Sequence, residues 1–328
     1  MDNTTYIKLA DAPINSTLTR PVLVTTIAEN VARNGKTYLK ITMKDGFTEQ
    51  TANMFDANAA MLASNGITEG TIVDVELQIS EYQGSKSFRV LSIQPTQDFS
   101  LAVCDFTKAP PISPDIMFSE ICQMLESSAQ DFSGKYSPLA SLALDILNDN
   151  KSAFMTSSAA VSMHHNMCGG LIYHTYRMMK AADAISRIYT ILDRELLLCG
   201  TALHDIGKVW EYSTAATGDA EVTVNGTLMG HLYMGASLIK NYTKERLTPF
   251  NKEKVQMLIH LILSHHGEQE FGAVVPPATP EAFVLHYIDN LDAKVYMCED
   301  AYANLGAGCH TEKRPFGLNN RIYKPKYE

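Results

Sequence analysis

The stretch "LLLCGTALHDIGKVWEY", residues 196–212, ends an apolar, helix-forming run with an imidazole and a carboxylate side by side. A polar group left unpaired among apolar neighbours is costly, so His204 and Asp205 need partners. Adjacent residues on a helix point about 100° apart. The two side chains therefore reach a common partner only at the flank of a helix end, where Gly207 can break the turn.

Hydrophobic periodicity near 3.6 surrounds this stretch. Segments 115–132, 138–150, 171–189, 194–207, 231–247, 252–267 and 280–305 each read as an amphipathic or buried helix. The N-terminal third differs, because β-branched and aromatic residues recur there at every second position. Residues 21–31, 37–46, 51–56, 71–82 and 86–95 read as strands, with an Asn-Gly hairpin signal in "RNGK" (33–36) and a glycine turn in "YQGSK" (82–86). A helix-like stretch, 57–66, separates the third strand from the fourth, which is the layout of an OB-fold. The expected architecture is multidomain, α and β: an OB-fold-like five-stranded barrel over 1–95, a linker over 96–114, an all-α domain over 115–310, and a basic tail over 311–328.

Composition narrows the class. The chain has 328 residues, 45% of them hydrophobic, enough for two cores. Its formal charge of −9 argues against broad duplex binding, although a local basic groove can hold a single strand. Six cysteines without CxxC spacing read as reduced core residues, and the polar N-terminus carries no signal-peptide core. No apolar run approaches the roughly 20 residues of a membrane span. A cytoplasmic protein with no membrane partner is expected.

The histidines of the helical region stand beside apolar residues: His174 within one helix, His204 next to Asp205, His231 at a helix start, His265 and His266 before Gly267, with Asp289 in the last helix. Converging on a divalent cation would satisfy all of them. Imidazole and carboxylate donors suit Mn, Fe, Zn, Co or Ni, and a set without thiolate is commoner in catalytic than in structural sites.

In this order His174, His204-Asp205 and Asp289 resemble the H…HD…D signature of the HD-domain metal-dependent phosphohydrolases. "HHNMCGGLIYHT", "LHDIGKVWEY", "GTLMGH", "LILSHHG" and "LHYIDNLDAK", behind an OB-like barrel, are similar to the YhaM family of 3′-to-5′ exoribonucleases. The resemblance implies one metal held by His174, His204, Asp205 and Asp289, and a second sharing Asp205 and taking His231 and His265. Mn²⁺ leads the expected ions, ahead of Co²⁺, Fe²⁺, Ni²⁺, Zn²⁺ and Mg²⁺. A metal-activated hydroxide would attack the phosphodiester, releasing nucleoside 5′-monophosphates from single-stranded RNA or DNA. Assembly as a homo-oligomer is implied as well.

Other residues keep two readings at this stage. Lys208 either neutralises a phosphate oxygen or compensates a helix C-terminus. His266 is a phosphate or outer contact, or a helix-ending residue, and His164 and His165 match the histidine pair of the family motif as substrate contacts. Asp292, three residues after Asp289, could exchange roles with it, whereas His260 and His286 read as core. In the barrel, Tyr38, Phe55, Tyr82 and Phe88, with Arg33, Lys36, Lys40, Lys86 and Arg89, form either a stacking and phosphate-tracking face or ordinary core and exterior. The tail, with Arg321, either guides a strand or packs on the last helix. "HHG" also occurs in HD-GYP phosphodiesterases, but the glycine-tyrosine-proline signature is missing from "HHGEQEFGAVVPP". A noncatalytic single-strand binding protein is the reading from outside enzymology.

Overall fold

The computed structural model describes the chain except residues 1–6, 33–34, 47, 83, 108, 130–135, 161–166, 216–217, 245–248, 304 and 328, and the side chain of residue 104. Arg33, His164 and His165 lie outside the described residues. The chain divides into two compact units, Met1–Ala109 and Pro110–Glu328.

The first unit is a closed five-stranded barrel. Strands β1 (Ser16–Val31), β2 (Thr37–Lys44), β3 (Glu49–Phe55), β4 (Ile72–Tyr82) and β5 (Ser85–Pro95) close in the order β1-β2-β3-β5-β4, with helix α1 (Ala59–Ser64) between β3 and β4. Alternation dictates the core: Leu39, Ile41 and Met43 of β2 and Val73, Val75, Leu77 and Ile79 of β4 point inward and are fully buried. Strand β1 is long enough to pair with β4 through its first half and β2 through its second, its register shifting between Val24 and Thr26. Such a bulge bends a strand from one neighbour to the next. Residues 96–109 group with this unit, where Phe106 is buried and its carbonyl accepts from the Gly46 amide at 3.1 Å.

The second unit is helical. It comprises α2 (Pro114–Ser128), α3 (Leu139–Asp149), α4 (Lys151–Thr156), α5 (Gly170–Ile188), α6 (Arg194–Leu203), α7 (Lys208–Glu211), α8 (Val224–Tyr242), α9 (Lys252–Ser264) and α10 (Pro280–Ala303). A small hairpin, β6 (Tyr212–Thr214) with β7 (Ala220–Val222), separates α7 from α8. Helix α4 and the hairpin are too short to leave a period in the sequence. No helix among the described residues is long and apolar enough to cross a membrane.

Helix α6 lies at the centre of this unit. Asp193 caps it by accepting from the Leu196 amide at 3.1 Å, and every residue from Glu195 to Leu203 is buried. A helix apolar on all sides must be surrounded, and α2, α3, α5, α9 and α10 surround this one. Its one internal charge, Glu195, accepts from the Ala140 amide and from Lys254, both at 3.1 Å. The C-terminal end of α6 is thereby held in the densest part of the core. Replacing Leu197, fully buried in α6, by Ala should cost about 2–5 kcal/mol, read as a lower urea midpoint at unchanged slope.

Candidate metal centre

Five elements deliver the predicted side chains to one place. His174 comes from α5, His231 from α8 and Asp289 from α10, while His204 follows the last residue of α6 and His265 the last of α9. His174, His204, Asp205 and His265 are almost wholly buried. Three overlapping groups, His174 with His204 and Asp289, His204 with Asp205 and His265, and His231 with His265 and His266, each hold their donor atoms within 4.8 Å of one another.

The chain around Asp205 explains how neighbours in sequence reach one centre. Ile206 and Lys208 amides donate to the carbonyls of Leu203 and Asp205 at 3.1 and 2.9 Å, so the backbone turns tightly into α7. Gly207 does not break this turn: its φ of −61° and ψ of −22° are helical. Its role is close approach, because a Cβ there would lie 2.1 Å from the His231 carbonyl oxygen. The approaching backbone belongs to α8, which kinks at Gly230, where φ is 69° and ψ 155°. The kink frees the His231 amide, which donates to Glu211 Oε1 at 3.2 Å.

Four imidazoles share one orientation. His174 Nδ1 contacts Asp292 Oδ2 at 2.7 Å, and the Nδ1 atoms of His204 and His265 contact the carbonyls of Thr201 and Ile262, both at 2.8 Å. His231 Nδ1 lies 2.8 Å from Glu211 Oε2, a charge contact rather than an aligned hydrogen bond. Each acceptor is an oxygen, so Nδ1 carries a proton and Nε2 is the ring nitrogen turned inward. His174 Nε2 and His204 Nε2 then face each other at 3.3 Å. Two ring nitrogens aimed at each other at that distance repel unless a proton or a metal ion lies between them. Donors held at about 2.1 Å from one ion stand about 3.0–3.4 Å apart, so the spacing fits a divalent metal.

The carboxylates complete the set. Asp289 Oδ1 is 3.2 Å from His174 Nε2, and Asp205 Oδ2 is 3.2 Å from His204 Nε2. On the other side, Asp205 Oδ1 lies 3.5 Å from His231 Nε2 and 3.6 Å from His265 Nε2. Asp205 Oδ1 and His265 Nε2 are buried without a hydrogen-bond partner among the described residues. Orphaned buried polar atoms of this kind are rare in folded proteins, and one divalent ion on this side of Asp205 would satisfy both. His266 joins the second side, its Nε2 at 3.3 Å from His231 Nε2. This placement makes it a candidate third imidazole donor, a role the sequence reading did not consider.

Electrostatics agree with a cation site. Burial opposes charge on Asp205, but Lys208 and His204 outweigh it and hold the carboxyl well below the usual carboxylate range. Burial likewise opposes a charged His174, and the hydrogen bonds to Asp289 and Asp292 override it, pushing the imidazole from 6.5 up to about 9. His265 is lowered mainly by burial, and His266 is lowered to about 3 by burial and the neighbouring imidazoles. Lys208 Nζ donates to Asp205 Oδ2 at 2.7 Å, and Asp205 keeps it charged against burial. Without metal, the proton on His174 is the charge that separates the facing nitrogens.

A cavity of about 470 Å³ opens beside the centre. Asp205, Lys208, His265, His266 and Asp289 line one side, and His286, Asn290, Lys294, Phe271 and Gly317 line the rest. His286 is thus a cavity residue rather than core, with Nδ1 donating to the His265 carbonyl at 2.9 Å. The tail folds back through Thr311 N to Ile322 O at 2.9 Å and Lys324 N to Cys309 O at 2.9 Å, which is how Gly317 comes to line the cavity. Arg321 serves that fold, its Nε donating to the Thr311 carbonyl at 2.6 Å.

The sequence reading missed the outer supports. Arg177, one turn after His174, holds Asp292 Oδ1 through Nε at 2.6 Å and Glu299 Oε2 through Nη1 at 2.6 Å. Asp292 is therefore the carboxylate behind His174 rather than an alternative to Asp289. Glu211 fills the corresponding place behind His231. Period alone offers a faint signal, since Arg177 and Asp292 each follow a predicted ligand by three residues.

The barrel carries its own cationic and aromatic face. Tyr38 and Phe55 stack at 5.7 Å between ring centres, and the Arg89 guanidinium lies 5.3 Å from the Phe55 ring. Lys36, Phe55 and Arg89 line a hollow of about 320 Å³, and Lys40, Asn53, Tyr82 and Lys86 line another of about 390 Å³. Lys36 contacts Asp56 at 3.8 Å, and Lys86 donates to the Ala10 carbonyl at 2.6 Å. Phe88, in contrast, is core.

Two outcomes follow from the supports and the charges. Asp292→Asn keeps the shape of the side chain but removes the charge behind His174, and should weaken Mn²⁺ binding about 10–100-fold in calorimetric titration, with the fold unchanged by circular dichroism. Because the folded pKa of His174 is raised, its contribution to the stability of metal-free protein is complete below 6.5 and lost as pH rises through about 9. His265 and His266, whose folded pKa values are lowered, work in the opposite direction just above 6.5, where the unfolded imidazoles still shed protons, and are silent once those are neutral. Denaturation midpoints in EDTA should therefore fall from pH 6.5 to 9, while Mn²⁺ affinity rises by up to about tenfold per pH unit as the His174 proton is displaced.

Comparison with known proteins places these features. The HD domain family matches residues 171–294, which contain the imidazoles and carboxylates of the centre. Among solved structures, the chain is similar to the mitochondrial single-stranded DNA binding protein Rim1 of S. cerevisiae, at 16% identity and TM-score 0.22, covering 24% of this chain and 94% of that one. It is also similar to the second OB-fold domain of replication protein A from Methanococcus maripaludis, at 15% identity and TM-score 0.23, covering 29% and 97%. A replication protein A heterotrimer bound to single-stranded DNA matches at 18% identity and TM-score 0.22, covering 30% and 70%. The chain is a closed five-stranded, OB-like barrel followed by a helical region that contains an HD domain at 171–294.

Proposed function

We propose that this protein is a metal-dependent 3′-to-5′ exoribonuclease of the YhaM type, acting on single-stranded RNA and also on single-stranded DNA. An HD domain suggests a metal-dependent phosphohydrolase. The observation that carries the reading is the convergence of inward-facing imidazole nitrogens and two carboxylates on both sides of Asp205, beside a cavity that Lys208 lines. His174, His204, Asp205 and Asp289 would hold one divalent ion, and Asp205, His231 and His265, with His266, a second. Bound there, such ions lower the pKa of water and neutralise charge on phosphate oxygens.

The chain's own residues supply the rest. Asp292 and Glu211 fix the rings of His174 and His231, and the Thr201 and Ile262 carbonyls fix those of His204 and His265. Lys208 places an ammonium at the cavity wall, where it favours the additional negative charge of the phosphorane-like transition state. A water oxygen bonds to phosphorus, the bond from phosphorus to the 3′-oxygen breaks, and that oxygen takes a proton. The products are a shortened strand and a nucleoside 5′-monophosphate. A phosphohydrolase of small nucleotides would use the same centre, but the Tyr38, Phe55 and Arg89 face of the barrel favours a strand, since stacked rings and a guanidinium accept any base.

Digestion of a 5′-labelled single-stranded RNA tests the reading. With Mn²⁺ the wild type should give a ladder shortening from the 3′ end, and EDTA or Asp205→Ala should abolish it. Phe55→Ala should leave a dinucleotide unaffected and weaken binding of a longer strand by about 1–3 kcal/mol. RNA left intact by the wild type under Mn²⁺ and the other divalent ions would refute the assignment.

A further inference from the structure

The cavity extends past the centre along α10, and the extension carries groups that the proposed chemistry does not use. Lys294 follows Asp289 by five residues, about 7.5 Å along the helix axis. It is exposed, lines the cavity, and forms no ion pair or hydrogen bond among the described residues. Ala293 beside it is small, leaving the wall open between the two. Phe271 lines the same cavity, is 66% exposed and makes no ring contact among the described residues. The same loop bears Glu268 and Glu270, both exposed, which repel phosphate from that side. The loop that carries Phe271 is therefore acidic, and the exposed cation of the cavity lining, Lys294, stands on α10.

We infer that Lys294 and Phe271 form a second nucleotide subsite, one nucleotide step from the metal centre: Lys294 takes the phosphate preceding the scissile one, and Phe271 stacks a base. This inference rests on the exonuclease reading above and deepens it. Lys208 and Lys294 differ in kind. Lys208 is buried and locked to Asp205, whereas Lys294 is a solvated cation with all its donors available to a ligand. Its contribution is to ground-state binding, so the preference it confers appears in affinity and not in turnover.

The test uses the full chain with Mn²⁺ and a longer labelled RNA as substrate, with two dinucleotides as competitors: diadenylate bearing a 5′-phosphate, and diadenylate without one. For the wild type, the 5′-phosphorylated competitor should have an inhibition constant about tenfold lower, as expected for a charge-assisted contact. Lys294→Met should abolish that difference, leave the unphosphorylated competitor unchanged, and raise KM on the longer RNA. Lys294→Arg should restore the difference, and Phe271→Ala should weaken both competitors alike. A wild-type preference that survives in Lys294→Met, or no preference in the wild type, overturns the subsite while leaving the exonuclease reading intact. Absence of any RNA degradation by the wild type overturns both.

Discussion

Asp205 is a buried carboxylate with donors on both sides, and the organisation of the helical unit depends on keeping it there. One oxygen meets Lys208 and His204, and the other faces His231 and His265 without a hydrogen bond. A charge taken out of water is tolerated only when it is paired and hydrogen-bonded. Here the lysine supplies part of that compensation, and the unsatisfied oxygen is the part left for a ligand.

The supports behind the imidazoles convert this local electrostatic demand into geometry. Four inward Nε2 atoms have an Nδ1 backed by an oxygen: a helix carbonyl behind His204 and His265, a carboxylate behind His174 and His231. Arg177 fixes one of those carboxylates from α5, and α6 fixes the origin of the whole arrangement through its burial. Close packing of this sort leaves little room for the rings to rotate, so the donors are preorganised rather than gathered on binding. Gly207 belongs to the same logic, since a methyl group there would push the His231 backbone away from Asp205.

Much of this was legible in the sequence because periodicity and residue order report elements and their apolar faces. The five strands, the helix between the third and fourth, and the long helices of the second unit follow from periods of 2 and 3.6. His174, His204, Asp205, His231, His265 and Asp289 could be singled out because polar groups embedded in apolar helices need a reason to be there. The short helix α4, the β6–β7 hairpin and the Gly230 kink left no period to read. Gly207 was misread, because a glycine that permits close approach and one that breaks a turn look alike in one dimension. Glu211 and Arg177 also escaped notice: their partners lie 20 and 115 residues away along the chain, and only the fold brings them together. His266 and His286 needed the fold to show that both line the cavity, the first against His231 and the second against the His265 carbonyl.

The central claim is that Asp205 is flanked by two cation sites built from imidazole and carboxylate donors. The most direct measurement is native mass spectrometry of the protein titrated with Mn²⁺, paired with calorimetry in two buffers of different ionisation enthalpy. The account predicts two ions per chain, release of protons as the first site fills at pH 7.5, and loss of both ions together in Asp205→Ala. Binding of no Mn²⁺ and no other divalent ion, or full occupancy retained in Asp205→Ala, would contradict it.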